Sequence, residues 1–315
     1  MNYKKELIIR FWAYQASVFP NWKEYFDRPY ASDVHPPVFH KDKVWKNVIV
    51  RPGAGQEEVH RLFSQLKGVR HKWFRSMNSS QALALSVLGN LAIYGHLNHL
   101  AEIKCDNGLP LLGEELPGDF TMEYEVNYLG EPRSTRLDAL LDGNYQVAIE
   151  CKFTETEVGS CSRPRLRPKD SNYSTAFCDG NFTKQRGRKE KCSLTEIGVL
   201  YWKYVPAVFK WRNDIEHRPC PLYKNYQLVR NVLAACVQPG GSVSLNHAHA
   251  LVFYDQRNPA FQKGGDGFTA FEKTRQALKV PSLLRKCSWQ SILTHIRKEG
   301  ILPWLTEELN LKYGL

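Results

Sequence analysis

The chain reads as an α/β protein with a mixed central β-sheet flanked by helices. Three features predict this. Residues 80–100 carry apolar side chains at helical spacing behind a Ser79 or Ser80 cap. Two apolar runs, 136–141 and 148–153, are joined by Asp142-Gly143-Asn144, which supplies the turn chemistry of a hairpin. A helical pattern over 223–237 precedes Ala-His-Ala-Leu-Val-Phe-Tyr-Asp at 248–255, which reads as a buried strand.

Along the chain, residues 1–75 are rich in Trp, Phe, Tyr, Pro and basic side chains, with turn signals at 33–37 and 52–55. Helical patterns at 5–15 and 56–68 make this an N-terminal helical and aromatic layer. The core is expected over 76–298. It opens with helix 80–100 and strands 121–129, 134–141 and 145–153. Helices at 194–211 and 223–237 and strand 248–255 follow, then helix 268–279, strand 282–287 and a closing helix at 289–298. A basic insert containing cysteines occupies 154–220, and 299–315 forms a C-terminal tail.

A content of 43% hydrophobic and 12% aromatic residues in 315 argues for a globular chain with a sizeable core, in one domain or two. The formal net charge of +11 suits a polyanionic partner, most simply nucleic acid, because neutralising phosphates releases counterions. No stretch approaches the ~18–20 apolar residues of a membrane span. The N-terminus lacks the apolar core and cleavage site of a secretory signal, so a cytoplasmic protein is expected. Eight cysteines are too sparse for a disulfide scaffold.

Charged residues in the hairpin carry the strongest chemical signal. Asp138 lies in its first strand, and Glu150 and Lys152 share a face of the second, with Cys151 turned the other way into the core. Two carboxylates can hold a hard divalent cation such as magnesium. A lysine beside it can orient or deprotonate a water, or neutralise charge on a phosphate. The same residues on a solvated face would make only a cross-strand ion pair. Against that stands the apolar run around Glu150, since a strand buried on both faces rarely carries charge without a metal or a chemical role.

Asp138 with Glu150-x-Lys152 resembles the PD-(D/E)xK nuclease superfamily. The flanking segments Ser79-Ser80-Gln81-Ala82, Lys152-Phe153-Thr154-Glu155 and Tyr226-Gln227-Leu228-Val229-Arg230-Asn231 are similar to a group of prokaryotic restriction-type endonucleases over roughly residues 75–290. Leu137 stands where the superfamily name has proline, a position the chemistry does not need. The resemblance implies a restriction-endonuclease-like core of order αβββαβ and a magnesium- or manganese-dependent DNA endonuclease of restriction or defence type. Asp138, Glu150 and the Cys151 carbonyl would hold the cation, and Lys152 would position the attacking water. Gln227, on the helix after the insert, matches a glutamine that orients catalytic or substrate groups in exonuclease-like members.

The insert carries nine Lys/Arg against three Asp/Glu between Arg163 and Lys191. Arg163, Arg165, Arg167, Lys184, Arg186, Arg188 and Lys189 are expected to meet DNA phosphates, with Arg230 on the next helix able to do the same or to pair with a carboxylate. Tyr173, Phe177 and Phe182 could stack on unpaired bases, as on a single-stranded substrate. Cys161, Cys178, Cys192 and Cys220 offer four soft ligands for structural zinc or a [4Fe–4S] cluster, at spacings without a Cys-x-x-Cys pair. His217 is a substitute ligand or a surface side chain, and His247 and His249 fit a strand-entry turn. Two other readings stand beside the nuclease: a non-catalytic nucleic-acid-binding protein of the same fold, and a metal-stapled interaction protein. A homodimer is compatible with each.

Overall fold

The structure is a computed structural model and describes residues 2–27, 34–113, 118–162, 178–184 and 189–315. Among these, five strands form one sheet in the order β1-β2-β3-β4-β5. β1 (Asp119–Val126), β2 (Thr135–Asp142) and β3 (Gln146–Cys151) make an antiparallel meander, and β4 (Ala248–Tyr254) and β5 (Leu284–Ser288) add parallel to it. The sheet is mixed, as the patterning predicts. Its switch from antiparallel to parallel falls between β3 and β4, because the insert and a helix intervene and allow a crossover.

Helices cover both faces. One face packs on α1 (Tyr3–Val18), α2 (Gln56–Ser64), α3 (Ser80–Ala84) and α4 (Asn90–Ile93). The other face packs on α5 (Ser193–Glu196), α6 (Tyr201–Val208), α7 (Tyr226–Cys236) and α8 (Asp266–Ala277). The closing α9 (Trp289–Lys298) and α10 (Pro303–Tyr313) return to the first face. There Phe11 and Phe153 both make edge contacts with Tyr313, so the first helix, the last helix and the end of β3 share one core. None of the helices among the described residues is long and apolar enough to cross a membrane.

Three local patterns depart from the sequence expectation. The helix expected over 80–100 begins at a Ser79 cap but widens into a π-type turn at Leu85–Gly89 and ends at Ile93. Ser86 Oγ accepts from Ile49 N at 3.0 Å, and Asn90 Nδ2 donates to Ile49 O at 2.9 Å, so the opened turn pins the N-terminal layer. The helix expected over 194–211 is two pieces, broken where Gly198 takes φ +96. Residues 303–313, part of the expected tail, form a helix with Leu305, Leu309 and Tyr313 fully buried.

Candidate active site

Strand alternation brings the charged residues together beneath α7. Ala148 packs in the α7-side core, whereas Val147, Ile149 and Cys151 belong to the opposite one. Glu150 and Lys152 therefore project toward α7, and they are 3% and 7% exposed. The end of β3 is fastened on all sides. Lys152 N donates to Phe253 O at 2.7 Å, and Trp289 Nε1 donates to Lys152 O at 3.0 Å. Asn258 Nδ2 donates to Phe153 O and Glu155 O at 2.8 and 2.9 Å.

The hairpin register sets Asp138 beside this strand. The β2–β3 ladder runs from Leu141↔Val147 to Ala139↔Ile149, and one step beyond it Asp138 Oδ2 accepts from Cys151 N at 2.6 Å. Glu150 is held by four neighbours. Its Oε1 accepts from Gln227 Nε2 at 2.5 Å and lies 2.9 Å from Lys152 Nζ. Its Oε2 accepts from Asn231 Nδ2 at 2.8 Å and from Arg230 Nη2 at 3.4 Å. Lys152 Nζ also donates to Gln227 Oε1 at 2.8 Å, which closes a ring of Glu150, Lys152 and Gln227. Helical spacing explains why Gln227, Arg230 and Asn231 reach one point.

The electrostatics of the two carboxylates diverge. Burial and the neighbouring Glu150 charge push the Asp138 carboxyl well above its ordinary range, against the pull of Lys152 and the Cys151 amide. Burial also acts to raise Glu150, but Lys152 and Arg230, with hydrogen bonds from Lys152 and Asn231, outweigh it and hold that carboxyl low. For Lys152, burial acts downward, yet Glu150, Glu155 and Asp138 keep the ammonium charged beyond its ordinary range. An under-compensated carboxylate beside a buried pair is the electrostatic setting that a divalent cation relieves, so the donor set fits a hard ion.

A third acid lines the same cleft without a sequence signal. Glu123 lies in β1 between Met122↔Ala139 and Tyr124↔Leu137, opposite Asp138, with φ +51 and 8% exposure. Such a backbone in a buried non-glycine residue is strained and occurs where surrounding structure enforces it. Gln81, the second residue of α3, holds its carboxylate through a short hydrogen bond and accepts from His71 N at 2.8 Å. Burial raises the Glu123 carboxyl, and the Glu150 charge adds to the effect.

The group opens into a cleft of about 1960 Å³ that the N-terminal layer also lines. Arg70, His71, Lys72 and Trp73 line it and are exposed, Trp73 at 55%. Lys72 Nζ sits 5.4 Å from the Trp73 ring centre. Thr135, Arg136 and Glu155 line the near side.

Other expected site residues fall elsewhere. Arg230 turns inward, donating to Thr135 Oγ1 at 2.8 Å and pairing with Glu150, so of its two expected roles it takes the carboxylate partner. Lys184 is exposed and is not among the cleft residues. Phe182 does not offer its ring to bases: it is 3% exposed and stacked on Trp202 at 3.6 Å, because this part of the insert joins the α7-side core. His217 stacks on the same Trp202 and its Nε2 bonds Arg212 O at 2.7 Å, so it serves this core and not the cysteines. His249 lies inside β4, not in a turn, fully buried and bonded to Leu111 O and Tyr145 Oη. Arg163, Arg165, Arg167, Arg186, Arg188, Tyr173 and Phe177 lie outside the described residues.

A five-stranded mixed sheet between helices, with an acid-lined cleft at the end of its meander, defines a restriction-endonuclease-like protein. The family model described as restriction endonuclease associating with ARP matches residues 15–314, and the chain belongs to that family. No curated protein and no solved structure matches the chain.

Proposed function

We propose that the protein hydrolyses phosphodiester bonds in DNA, as a divalent-metal-dependent endonuclease of restriction or defence type. The observation that carries this reading is the convergence of Asp138, Glu150 and Lys152 in a cleft that Arg70 and Lys72 also line. Asp138, Glu150 and the Cys151 carbonyl are the groups that would hold magnesium or manganese, with Glu123 within the same charged cluster. Bound there, the cation would polarise the phosphate and acidify a water.

The chain's own groups divide the remaining work. Lys152 stays protonated, so its role is to donate to the attacking water or to a phosphate oxygen, not to remove a proton at rest. Gln227 bridges Lys152 and Glu150 and keeps the ammonium aimed. Arg70 and Lys72 would meet phosphates across the cleft. Family membership supports DNA as the substrate.

One observation favours a second reading. Both oxygens of Glu150 are already satisfied by protein donors, as they would be in a nuclease fold that binds DNA without cutting it. Incubation with supercoiled and linear DNA, with and without magnesium, separates the two. The nuclease reading expects magnesium-dependent cutting that Asp138→Ala and Lys152→Ala reduce by roughly 10²-fold or more while DNA binding persists. Binding without cutting on modified and unmodified DNA would leave the non-catalytic protein.

A further inference from the structure

Cys161, Cys178, Cys192 and Cys220 are separated by 16, 13 and 27 residues, yet together they line one small pocket that shares no residue with the acid-lined cleft. The backbone stitches their carriers to one another. Cys161 N donates to Tyr223 O at 2.7 Å, Tyr223 N to Cys220 O at 3.0 Å, and Cys220 N to Gly180 O at 2.8 Å. Cys178, Cys192 and Cys220 are thiols, not disulfides.

Backbone amides aim at the sulfurs. Gly180 N donates to Cys178 Sγ at 3.4 Å, the amides of Thr195 and Leu194 favour the Cys192 thiolate, and that of Leu222 favours the Cys220 thiolate. Such donors suit sulfur carrying negative charge. Four sulfurs sharing one apolar pocket, with backbone amides directed at them, fit a cation seated among the four.

Spacing selects the cation. A single zinc ion with bonds near 2.3 Å draws four sulfurs to roughly 3.8 Å from one another. Among the described residues, no three of the four cysteine sulfurs lie mutually within 4.8 Å. A cube of four irons and four sulfides takes one thiolate at each iron and holds them further apart. We infer that Cys161, Cys178, Cys192 and Cys220 bind a [4Fe–4S] cluster, which ties the start of the insert to the segment leading into α7. The tie reaches the active site through Gly159: Gln227 N donates to Gly159 O at 3.2 Å, two residues before Cys161.

The test is the metal content of the intact chain, produced with iron supplied and purified without oxygen. The expected result is about four irons and four acid-labile sulfides per chain, with visible absorption bleached by dithionite. Cys178→Ser and Cys220→Ser should lose the iron, whereas Cys236→Ser, in the α7 core, and Asp138→Ala should keep it. About one zinc per chain without sulfide, two irons per chain, or no metal would each overturn the inference, and these readings need no variant to fold. Because the metal content is read without any cutting, and Asp138→Ala would lower cutting without touching the cysteines, failure of the nuclease reading and failure of the cluster are told apart.

Discussion

Gly159 is the residue on which the geometry of the site turns most sharply. At φ +98 it occupies backbone that favours glycine, and a Cβ there would lie 2.3 Å from Gln227 Oε1. Gly159→Ala should therefore displace the Gln227 amide from Lys152 and Glu150 while leaving the carboxylates alone. We expect cleavage to fall by about 10–100-fold with DNA affinity unchanged. Gln227→Ala should match it, and the double variant should be little worse than either, since both remove one interaction. Additive losses in steady-state kinetics would contradict this. Asp138, Glu150, Lys152 and Gln227 were readable from sequence because strand alternation and helical spacing are local rules. Glu123 was not: alternating with Met122 and Tyr124, it reads as one of a solvent-facing row, and only pairing with β2 sets it against Asp138.

At the scale of elements, two polar side chains couple secondary structures through buried bonds. Ser86 fills the π-type turn, accepting from Ile49 N and donating to Ala82 O at 2.7 Å. Ser86→Ala strands the Ile49 amide and should cost about 1–3 kcal/mol, read from urea unfolding. Lys312, 1% exposed on α10, donates to Asn47 Oδ1 at 2.9 Å and to the Asn47 carbonyl. Burial lowers its pKa to about 7, with Glu308 opposing only in part. The unfolded chain then binds the proton more tightly between that value and the ordinary lysine range. Stability should rise with pH from about 7 toward 10, contributing up to about 1.4 kcal/mol per pH unit, and Lys312→Met should flatten that slope. An unchanged slope in the variant would refute the assignment. A lysine in what reads as a C-terminal tail gives no sign of this, because its hydrogen-bond partner lies 265 positions away.

The whole molecule assigns the N-terminal layer a place that composition left open. Residues 70–73 line the same cleft as the acids, so basic surface beside the site is contributed by chain far from the hairpin in sequence. Replacing Arg70 and Lys72 together by alanine should weaken DNA binding across sequences. It should also reduce the slope of log affinity against log salt by about two, since each basic side chain removed leaves one phosphate with its counterion. A variant that cuts normally at low salt and binds with the original slope would exclude these residues from the interface.

Local patterning was enough for the α/β class, for the run of helix, three strands, helix and strand, and for placing Asp138, Glu150 and Lys152 on one hairpin. Each rests on periodicity or turn chemistry within about twenty residues. Tertiary structure alone decided that Glu123 and Gln81 join the acids, that Arg230 turns inward, that 70–73 walls the cleft, and that the four cysteines meet. Those outcomes depend on which faces of distant elements bury against one another, and burial is a property of the packed whole.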